Sequence, residues 1–191
     1  MSNLHYSSRL LEPYRIRLLR LTPHQNKTAP IRCELFEYSF QESDEGTHMY
    51  EALSYVWGDP LKTLPILIGE HHFNVTVNLH AALSRLRGRF FPRIIWIDAI
   101  CINQNDQGEK ERQIQSMARI YGQATRVIVW LGQMECNSDR ALEAIRLAAG
   151  KSAKYLNDDI NQQAILALLK QEWFRRIWVR EQMLNNIGGN Y

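Results

Sequence analysis

The sequence predicts an α/β fold that has a mostly parallel sheet with an antiparallel β addition at its N-terminal end. Two patterns predict this class. Residues 93–131 contain a strand, a helix and a second strand in succession, which is the βαβ unit of parallel sheets with its right-handed crossover. Before this unit, short segments alternate apolar and polar residues with a period of two, as half-buried antiparallel strands do.

The composition indicates an ordinary globular protein. The chain has 191 residues, of which 45% are hydrophobic and 23% are charged. A chain of this size buries enough surface to fold without disulfides or metals, and this composition excludes disordered and collagen-like classes. The net charge of +3 is small, and the basic residues are scattered along the chain. We therefore expect neither a nucleic acid nor a membrane as a partner.

Cysteine usage and the ends of the chain give further expectations. The three cysteines form no CxxC pair, so neither a zinc site nor a disulfide framework is expected. No leader pattern and no apolar run long enough to span a bilayer is visible, which predicts a cytoplasmic protein. The last residues, NNIGGNY, carry no structural signal and are compatible with a C-terminal truncation.

The first half of the chain reads as strands. Segments with strand patterns are residues 14–21, 31–40 and 50–57, followed by a hairpin of residues 65–68 and 73–77 around GEHH. The third strand ends sharply at Gly58-Asp59-Pro60. We expect residues 1–45 to form a β-rich extension packed on a main domain of residues 46–191. Whether this extension is a regulatory arm or completes the sheet is open at this stage.

The second half alternates helices with apolar strands. Asn78 is the expected N-cap of a helix that ends at Gly88. Residues 93–102 and 126–131 are nearly all apolar, which predicts strands buried on both faces. Between them, Asp106 and Glu109 have capping-box spacing. The helix that follows carries an apolar stripe formed by Ile114, Met117, Ala118 and Tyr121. Helices are also expected at residues 138–149 and 160–180, the latter broken near residue 171.

Two predicted strand ends carry unusual residues, and ligands of open α/β sheets bind beyond such ends. Tyr55 and Trp57 followed by Gly58 could stack on a planar ring while the backbone approaches it closely. On these residues alone, the alternative that both aromatic side chains fill the core and Gly58 makes a turn is favoured.

The other strand end carries an acid and several amides. Asp98 is expected inside an apolar strand, where an unpaired carboxylate would be costly, so it must be paired or poised near a ligand. Asn103 and Gln104 precede a helix N-terminus, where they could hold a polar or anionic group. Alternatively, these side chains only cap and turn the loop. Cys101 is interpreted as a small buried side chain and not as a nucleophile.

Three charged residues on predicted helices are also candidates. Glu111 is expected to point towards the core at a helix start, with Arg112 on the wet face. Glu181 falls on an apolar face beside Trp178, where desolvation favours the acid form and suits acid–base chemistry. A first-turn role for Glu111 and a salt bridge for Glu181 are the alternatives. Adjacent His71 and His72 are a weak indication of metal binding.

Taken together, six segments of the chain resemble the HET (heterokaryon incompatibility) domain of filamentous fungi. They are YEALSYVWG (50–58), NLHAALSRL (78–86), WIDAICINQND (96–106), ERQIQSMARIY (111–121), VIVWLG (127–132) and WFRRIWV (173–179). The resemblance covers about residues 50–184. It implies a cytoplasmic self/non-self recognition effector whose activation triggers fungal cell death.

HET domains are distantly similar to TIR domains, which implies a three-layer, flavodoxin-like fold. Some TIR domains cleave NAD at the nicotinamide–ribose bond with a helix glutamate that lies four residues after a tryptophan. In this chain the fourth residue after Trp178 is Gln182, which cannot ionise. Three explanations are open: Glu181 has taken the role, the protein is a naturally inactive relative, or the chain is a disabled variant.

By this analogy the site contains eleven residues. Gln182 (at the glutamate position), Glu181 and Asp98 are catalytic candidates, and Tyr55, Trp57, Gly58, Asn103, Gln104, Glu111, Arg112 and Trp178 bind the substrate. NAD is the expected substrate, no metal or other cofactor is required, and a homo-oligomer is expected on activation. The alternative is a non-enzymatic death-signalling module that acts by self-association or by docking onto a partner.

Overall fold

The computed structural model describes residue 6 and residues 14–40, 49–133, 138–150 and 159–175. The chain divides into two compact units, Met1–Trp130 and Leu131–Tyr191. The first unit holds a sheet with three helices, and the second holds helices. Within the described residues, no helix combines the length and the apolar character needed to cross a bilayer.

The first unit contains seven strands and three helices among the residues that the structure describes. The strands are β1 (Arg15–Leu21), β2 (Arg32–Ser39), β3 (Glu51–Tyr55), β4 (Thr63–Ile68), β5 (His71–Thr76), β6 (Arg93–Trp96) and β7 (Arg126–Trp130). The helices are α1 (Val77–Leu86), α2 (Asp98–Cys101) and α3 (Gln107–Gln123). The α/β class predicted from the sequence is confirmed.

All seven strands form one sheet in the order β5-β4-β2-β1-β6-β3-β7. Neighbours are antiparallel at β5–β4, β2–β1 and β1–β6 and parallel at β4–β2, β6–β3 and β3–β7. The sheet is therefore mixed: the expected parallel pairing is continuous over β6–β3–β7, and the rest of the sheet is antiparallel except at β4–β2. The parallel βαβ unit is confirmed, with β3 inserted between its two strands.

Strand β1 lies at the centre of this sheet. Four successive side chains, Ile16 to Leu19, are buried, so both faces of the strand are covered. Its register places Leu19 opposite Leu35 of β2 on one side and Ile95 of β6 on the other. The N-terminal strands are thus interior strands of the sheet.

Helix α3 is tied to β3 by two tyrosines. Tyr50, just before β3, donates its hydroxyl to Ile120 O at 2.6 Å, and Tyr121 donates to Leu53 O at 3.1 Å. Both hydroxyls are buried and hydrogen-bonded, which removes the cost of burying them. These two bonds fix the C-terminal half of α3 over the middle of the parallel strands.

Two apolar segments differ from their predicted form. The strand expected over residues 93–102 ends at Trp96, and Asp98 begins the one-turn helix α2. Apolar runs do not distinguish a buried strand from a buried helical turn, which explains the error. The second strand, β7, was expected to be buried on both faces. It is an edge strand instead, with Val127 43% and Val129 40% exposed.

Two helix predictions need smaller corrections. The N-cap of α1 is Thr76, whose hydroxyl accepts from Leu79 N, whereas Asn78 lies inside the helix. The apolar stripe of α3 is only partly buried, since Ile114 is 52% exposed. The Asp106 half of the expected capping box is confirmed, because Asp106 Oδ1 accepts from Glu109 N at 2.9 Å. The Glu109 carboxylate instead accepts from Arg17 and from Asn103 N, and Asp106 N donates to Asn103 O.

The second unit contains α4 (Ser138–Gly150), α5 (Asp159–Leu169) and a 3₁₀ turn (Glu172–Arg175). Its described core joins Ala141 of α4 to Ala164 and Leu168 of α5. The predicted helix break near residue 171 is confirmed, and residues 176–180 of the predicted helix lie outside the described residues.

Glu51 clamps the amino-terminal ends of the three parallel strands. Its carboxylate accepts two bonds of 2.7 Å from Arg93 of β6 and a further bond from Arg126 of β7. Burial alone would raise the pKa of Glu51, but the hydrogen bonds and charges of the two arginines outweigh it and lower the pKa below its ordinary value.

This pKa shift predicts acid sensitivity. Because the folded-state pKa lies below the unfolded value, the stabilisation is present above about pH 4.5 and is lost as the pH falls through the folded pKa. We expect Glu51→Gln to flatten the acid limb of the free energy of unfolding, measured by urea titration between about pH 3 and pH 6. The exposed Glu70 in the β4–β5 turn is the control; an equal flattening by Glu70→Gln would contradict the assignment.

The central position of β1 predicts a large core effect. Leu19 is fully buried in β1, whereas Leu61 is 91% exposed. We expect Leu19→Ala to lower the free energy of unfolding by about 2–5 kcal/mol. The same truncation at Leu61 should change it by less than about 0.5 kcal/mol. Chemical denaturation of both variants measures the difference, and similar losses would show that β1 is not part of the cooperative core.

Candidate functional site

The candidate site lies where the parallel strands β6, β3 and β7 end. Parallel neighbours have their carboxyl ends at the same edge of the sheet, so the segments after Tyr55 and Trp96 emerge side by side. Ligands of open α/β sheets bind beyond this edge. The sequence-predicted candidates Trp57, Asp98 and Gln104 all belong to these two segments.

A hydrogen bond between Trp57 and Asp98 joins the two segments. The indole Nε1 of Trp57 donates to Asp98 Oδ2 at 3.0 Å, and Ala99 N donates to Asp98 Oδ1 at 2.7 Å. Asp98 is 9% exposed. Each carboxylate oxygen therefore has a hydrogen-bond donor, as a buried anion requires. Asp98 acts here as a positioning residue for Trp57.

Gln104 holds the same loop from its other end. Its Nε2 donates to Asp98 O at 2.9 Å and to Ile102 O at 3.4 Å. Asn103, the neighbouring residue, accepts from Asn105 N at 3.1 Å through its side-chain oxygen. Both amides thus shape the backbone between α2 and α3, as the structural alternative expected, while both side chains stay only partly buried.

The two aromatic candidates occupy different environments. Tyr55 is 2% exposed and belongs to the core, whereas Trp57 is 37% exposed. A ligand beyond the sheet edge can therefore contact the indole of Trp57 but not the ring of Tyr55. The sequence pattern alone could not separate the two, because both lie at the carboxyl end of the same short strand.

Asn78, predicted from the sequence only as a helix cap, also lies at this edge of the sheet. Its Nδ2 donates to Val56 O at 2.6 Å, and its Oδ1 accepts from Trp130 Nε1 at 2.9 Å. One side chain thus ties the end of β3 to the end of β7. The sequence signal for this role was an asparagine at the start of the NLHAALSRL segment, because its amide can donate one hydrogen bond and accept another.

Gly58 makes the turn that lets the chain pass Asn78. Its φ is +78°, and a Cβ at this position would lie 3.4 Å from the Cβ of Asn78. A side chain at residue 58 would be strained in this conformation. The turn predicted at Gly58 is present, and it directs the chain away from the sheet directly after Trp57.

Comparison with known proteins gives the family. The family model described as "Heterokaryon incompatibility protein (HET)" matches residues 50–181. The chain belongs to the HET family. This confirms the resemblance read from the motifs, and the matched residues contain every residue of the sheet edge described above.

A curated relative gives a second comparison. "Heterokaryon incompatibility protein 6, OR allele" of Neurospora crassa is 34% identical over 143 residues, which cover 68% of this chain and 20% of the relative. The HET chain thus spans about a fifth of that relative's length. No solved structure matches the chain.

The buried glutamate of this HET domain's α3 is not the one that the sequence predicted. Glu111 was expected to face the core, but it is exposed and accepts from Gln107 at 2.9 Å. Arg112 is exposed as well. Glu109 is 3% exposed and faces inwards, together with Gln113. The helix is therefore rotated relative to its predicted apolar stripe, because its buried face carries polar residues.

The described cysteines are not suited to nucleophilic chemistry. Cys33 and Cys101 are buried, and burial raises the pKa of each thiol to about 12. The interpretation of Cys101 as a buried small side chain is confirmed. In the described parts of the chain, no group of three or more potential ligands among His, Cys, Asp and Glu is arranged to hold a metal.

Three predicted site residues, Trp178, Glu181 and Gln182, lie outside the described residues. The structure therefore places the binding candidates Trp57, Asn103 and Gln104 together with the positioning residue Asp98. It places Glu111 and Arg112 on the exposed face of α3, and Tyr55 in the core.

The Trp57–Asp98 bond predicts energetic coupling between these residues. In a double-mutant cycle of Trp57→Phe and Asp98→Ala, we expect a coupling free energy of about 1–3 kcal/mol, as for hydrogen bonds to charged groups. Trp130→Phe is the matched control because its indole bonds to Asn78. Its effect should add to that of Asp98→Ala within about 0.5 kcal/mol. Urea denaturation followed by circular dichroism measures all five proteins against the parent; additivity for Trp57 would contradict the bond.

Proposed function

We propose that this HET domain is an effector of fungal heterokaryon incompatibility that triggers cell death in the cytoplasm. Membership of the HET family and the similarity to a Neurospora incompatibility protein support this role. We also propose that the domain is a relative of the three-layer, flavodoxin-like TIR domains. The parallel β6–β3–β7 part of the sheet, with its site at the carboxyl edge, supports this relation.

We further propose that the domain acts by cleaving NAD at the nicotinamide–ribose bond. The observation that carries this proposal is the convergence of Trp57, Asp98 and Gln104 beyond the ends of β3 and β6. The indole of Trp57 is held at its N–H by Asp98 while a third of its surface stays exposed. An aromatic ring that is already fixed loses little entropy when a planar base stacks on it.

The proposed reaction breaks one bond and forms one. The glycosidic electron pair leaves with nicotinamide, which departs as a neutral base, and positive charge develops on the ribose. Water then attacks the sugar carbon and loses a proton. A carboxylate beside the ribose stabilises the developing charge, and the half-buried amides of Asn103 and Gln104 hold the ribose or phosphates.

Asp98 is not the carboxylate that faces the ribose in this scheme. Both of its oxygens already accept hydrogen bonds from Trp57 and Ala99. In the proposed scheme the reacting carboxylate belongs instead to the segment after Trp178, where this sequence has Glu181 and Gln182. Because glutamine cannot ionise, we propose that the domain in its present sequence is impaired at residue 182.

The second candidate function is self-association without catalysis. Strand β7 forms one edge of the described sheet, and its Val127 and Val129 are 43% and 40% exposed. An exposed apolar edge strand is a template for pairing with another chain. This observation favours a homo-oligomeric signalling module, which is compatible with catalysis after assembly.

Nicotinamide release from NAD tests the proposed reaction. We expect the Gln182→Glu variant to release nicotinamide about a hundredfold or more faster than the unchanged chain, since a group that stabilises transition-state charge is worth about this much. The exposed Gln163 provides the matched control, because Gln163→Glu adds the same charge on α5. Trp57→Ala in the Gln182→Glu background should weaken NAD binding.

Other outcomes separate the candidates. Release by the unchanged chain that Glu181→Gln abolishes would assign the carboxylate to residue 181. Silence from folded Gln182→Glu protein at high concentration would overturn the NAD proposal. Sedimentation of the same samples, with Val129→Lys as the edge variant, then shows whether the domain self-associates through β7.

A further inference from the structure

A buried ion pair connects the centre of the sheet to the loop of the candidate site. Arg17 of β1 donates from Nη1 to Glu109 Oε1 at 2.6 Å and from Nη2 to Glu109 Oε2 at 3.1 Å. The two side chains are 3% and 4% exposed. The geometry is the bidentate fork that arginine forms with a carboxylate.

Among the described residues, the other hydrogen bonds of this pair reach the last residue of α2 and the segment between α2 and α3. Arg17 Nη1 also donates to Cys101 O at 3.2 Å, and Glu109 Oε1 also accepts from Asn103 N at 2.8 Å. A buried charge pair is stable only when such further bonds satisfy it. Here those bonds hold the loop backbone at Cys101 and at Asn103, on either side of Ile102.

A second contact from the N-terminal part of the chain reaches the same loop. The hydroxyl of Tyr6 donates to Ile100 O at 3.1 Å, and the Arg17 guanidinium lies 4.8 Å from the centre of the Tyr6 ring. The ring therefore covers the guanidinium on one side, as in cation–π pairs. Tyr6 and Arg17 thus act on one stretch of backbone, residues 100–103.

The bonds of Arg17 and Tyr6 affect the candidate site because the loop of residues 97–106 is held at both ends. Asp98, which orients Trp57, begins α2, and Asp106 caps α3. Between these points, the described side chains that reach the backbone of residues 100–103 include Gln104 from the loop itself and Arg17 from outside the family match. A shift of this backbone would move Asn103 and Gln104 relative to Trp57.

We infer that Arg17 is a positioning residue of the candidate site, so that the working HET unit begins with β1, upstream of the family match at residues 50–181. Its guanidinium holds Glu109 in place, and together they fix the loop of residues 97–106. The structural inference stands apart from the chemistry; only its effect on nicotinamide release rests on the proposed function.

Amide hydrogen exchange of the full chain tests this inference without reference to any substrate. The slowest-exchanging amides of β1 and β3 report global unfolding. In Arg17→Met, we expect the exchange rate at the Asn103 amide to rise by a factor about tenfold or more greater than the rise at those slowest amides. Arg20→Met is the matched control. It removes an arginine of the same strand whose partner, Glu34, is on the surface.

Two results would overturn the inference. Equal acceleration at Asn103 and at the slowest amides would show that Arg17 contributes only to global stability, and equal profiles for Arg17→Met and Arg20→Met would show no selective role. If Arg17→Met does not fold, Arg17→Lys is measured by the same criterion, because lysine keeps the charge but loses the fork.

The chemistry is tested separately in the Gln182→Glu background. Arg17→Lys should there lower kcat for nicotinamide release by about tenfold while the domain remains folded, since small misplacement of a site costs up to about a hundredfold. Selective loop exchange with unchanged release would leave the positioning role intact and count against the loop's part in NAD cleavage. Loss of release without selective exchange would count against the positioning role.

Discussion

The position of β1 between β2 and β6 is the constraint on which the rest of the structure depends. In the described sheet, the β4–β5 hairpin and β2 lie on one side of β1, and the parallel strands β6, β3 and β7 lie on the other. Among the described strands, β1 is the one that pairs with both groups. Parallel strands expose their candidate site at one edge, and that edge is rigid only if β6 is held by a neighbour on its outer side. The site therefore depends on a strand that lies far from it in the sequence.

The polar side chains near the site are buried or partly buried, and their hydrogen bonds indicate what each of them does. Asp98, Asn78 and Glu109 would each pass for catalytic groups in a list of residues, yet each has its hydrogen-bonding atoms engaged by named donors or acceptors. Buried polar groups must be satisfied in this way, and here the bonds give the three side chains a structural role. Among the described residues of the site, the exposed part of Trp57 and the partly buried amides of Asn103 and Gln104 are accessible to a ligand. The observed network of hydrogen bonds therefore supports the shape of the candidate site.

The sequence predicted the local patterns and missed what depends on distant partners. The period of two located β1 and β2 correctly, because alternation reflects the pleat of the strand itself. The β4–β5 hairpin was located from the two short segments that flank GEHH. The exposure of β7 could not be read, since strand order places it at an edge. The rotation of α3 could not be read either: its buried face carries Glu109 and Gln113, whose partners are Arg17 and the Arg15 carbonyl on β1. Hydrophobic periodicity does not predict the buried face of a helix when that face carries polar residues, such as Glu109, whose partner Arg17 lies 92 positions away in the sequence.

The family match begins at residue 50, although the sheet begins at residue 15. An interior strand such as β1 needs apolar side chains on both faces and backbone pairing, which many sequences provide. The loops after β3 and β6 need an indole, a carboxylate and amides at fixed spacing, which few sequences provide. The match contains both loops, while the sheet beneath them also contains β1. Arg17 is the exception within β1, because its fork must meet Glu109 and Cys101 O at once, and a lysine or a leucine there could not replace those bonds.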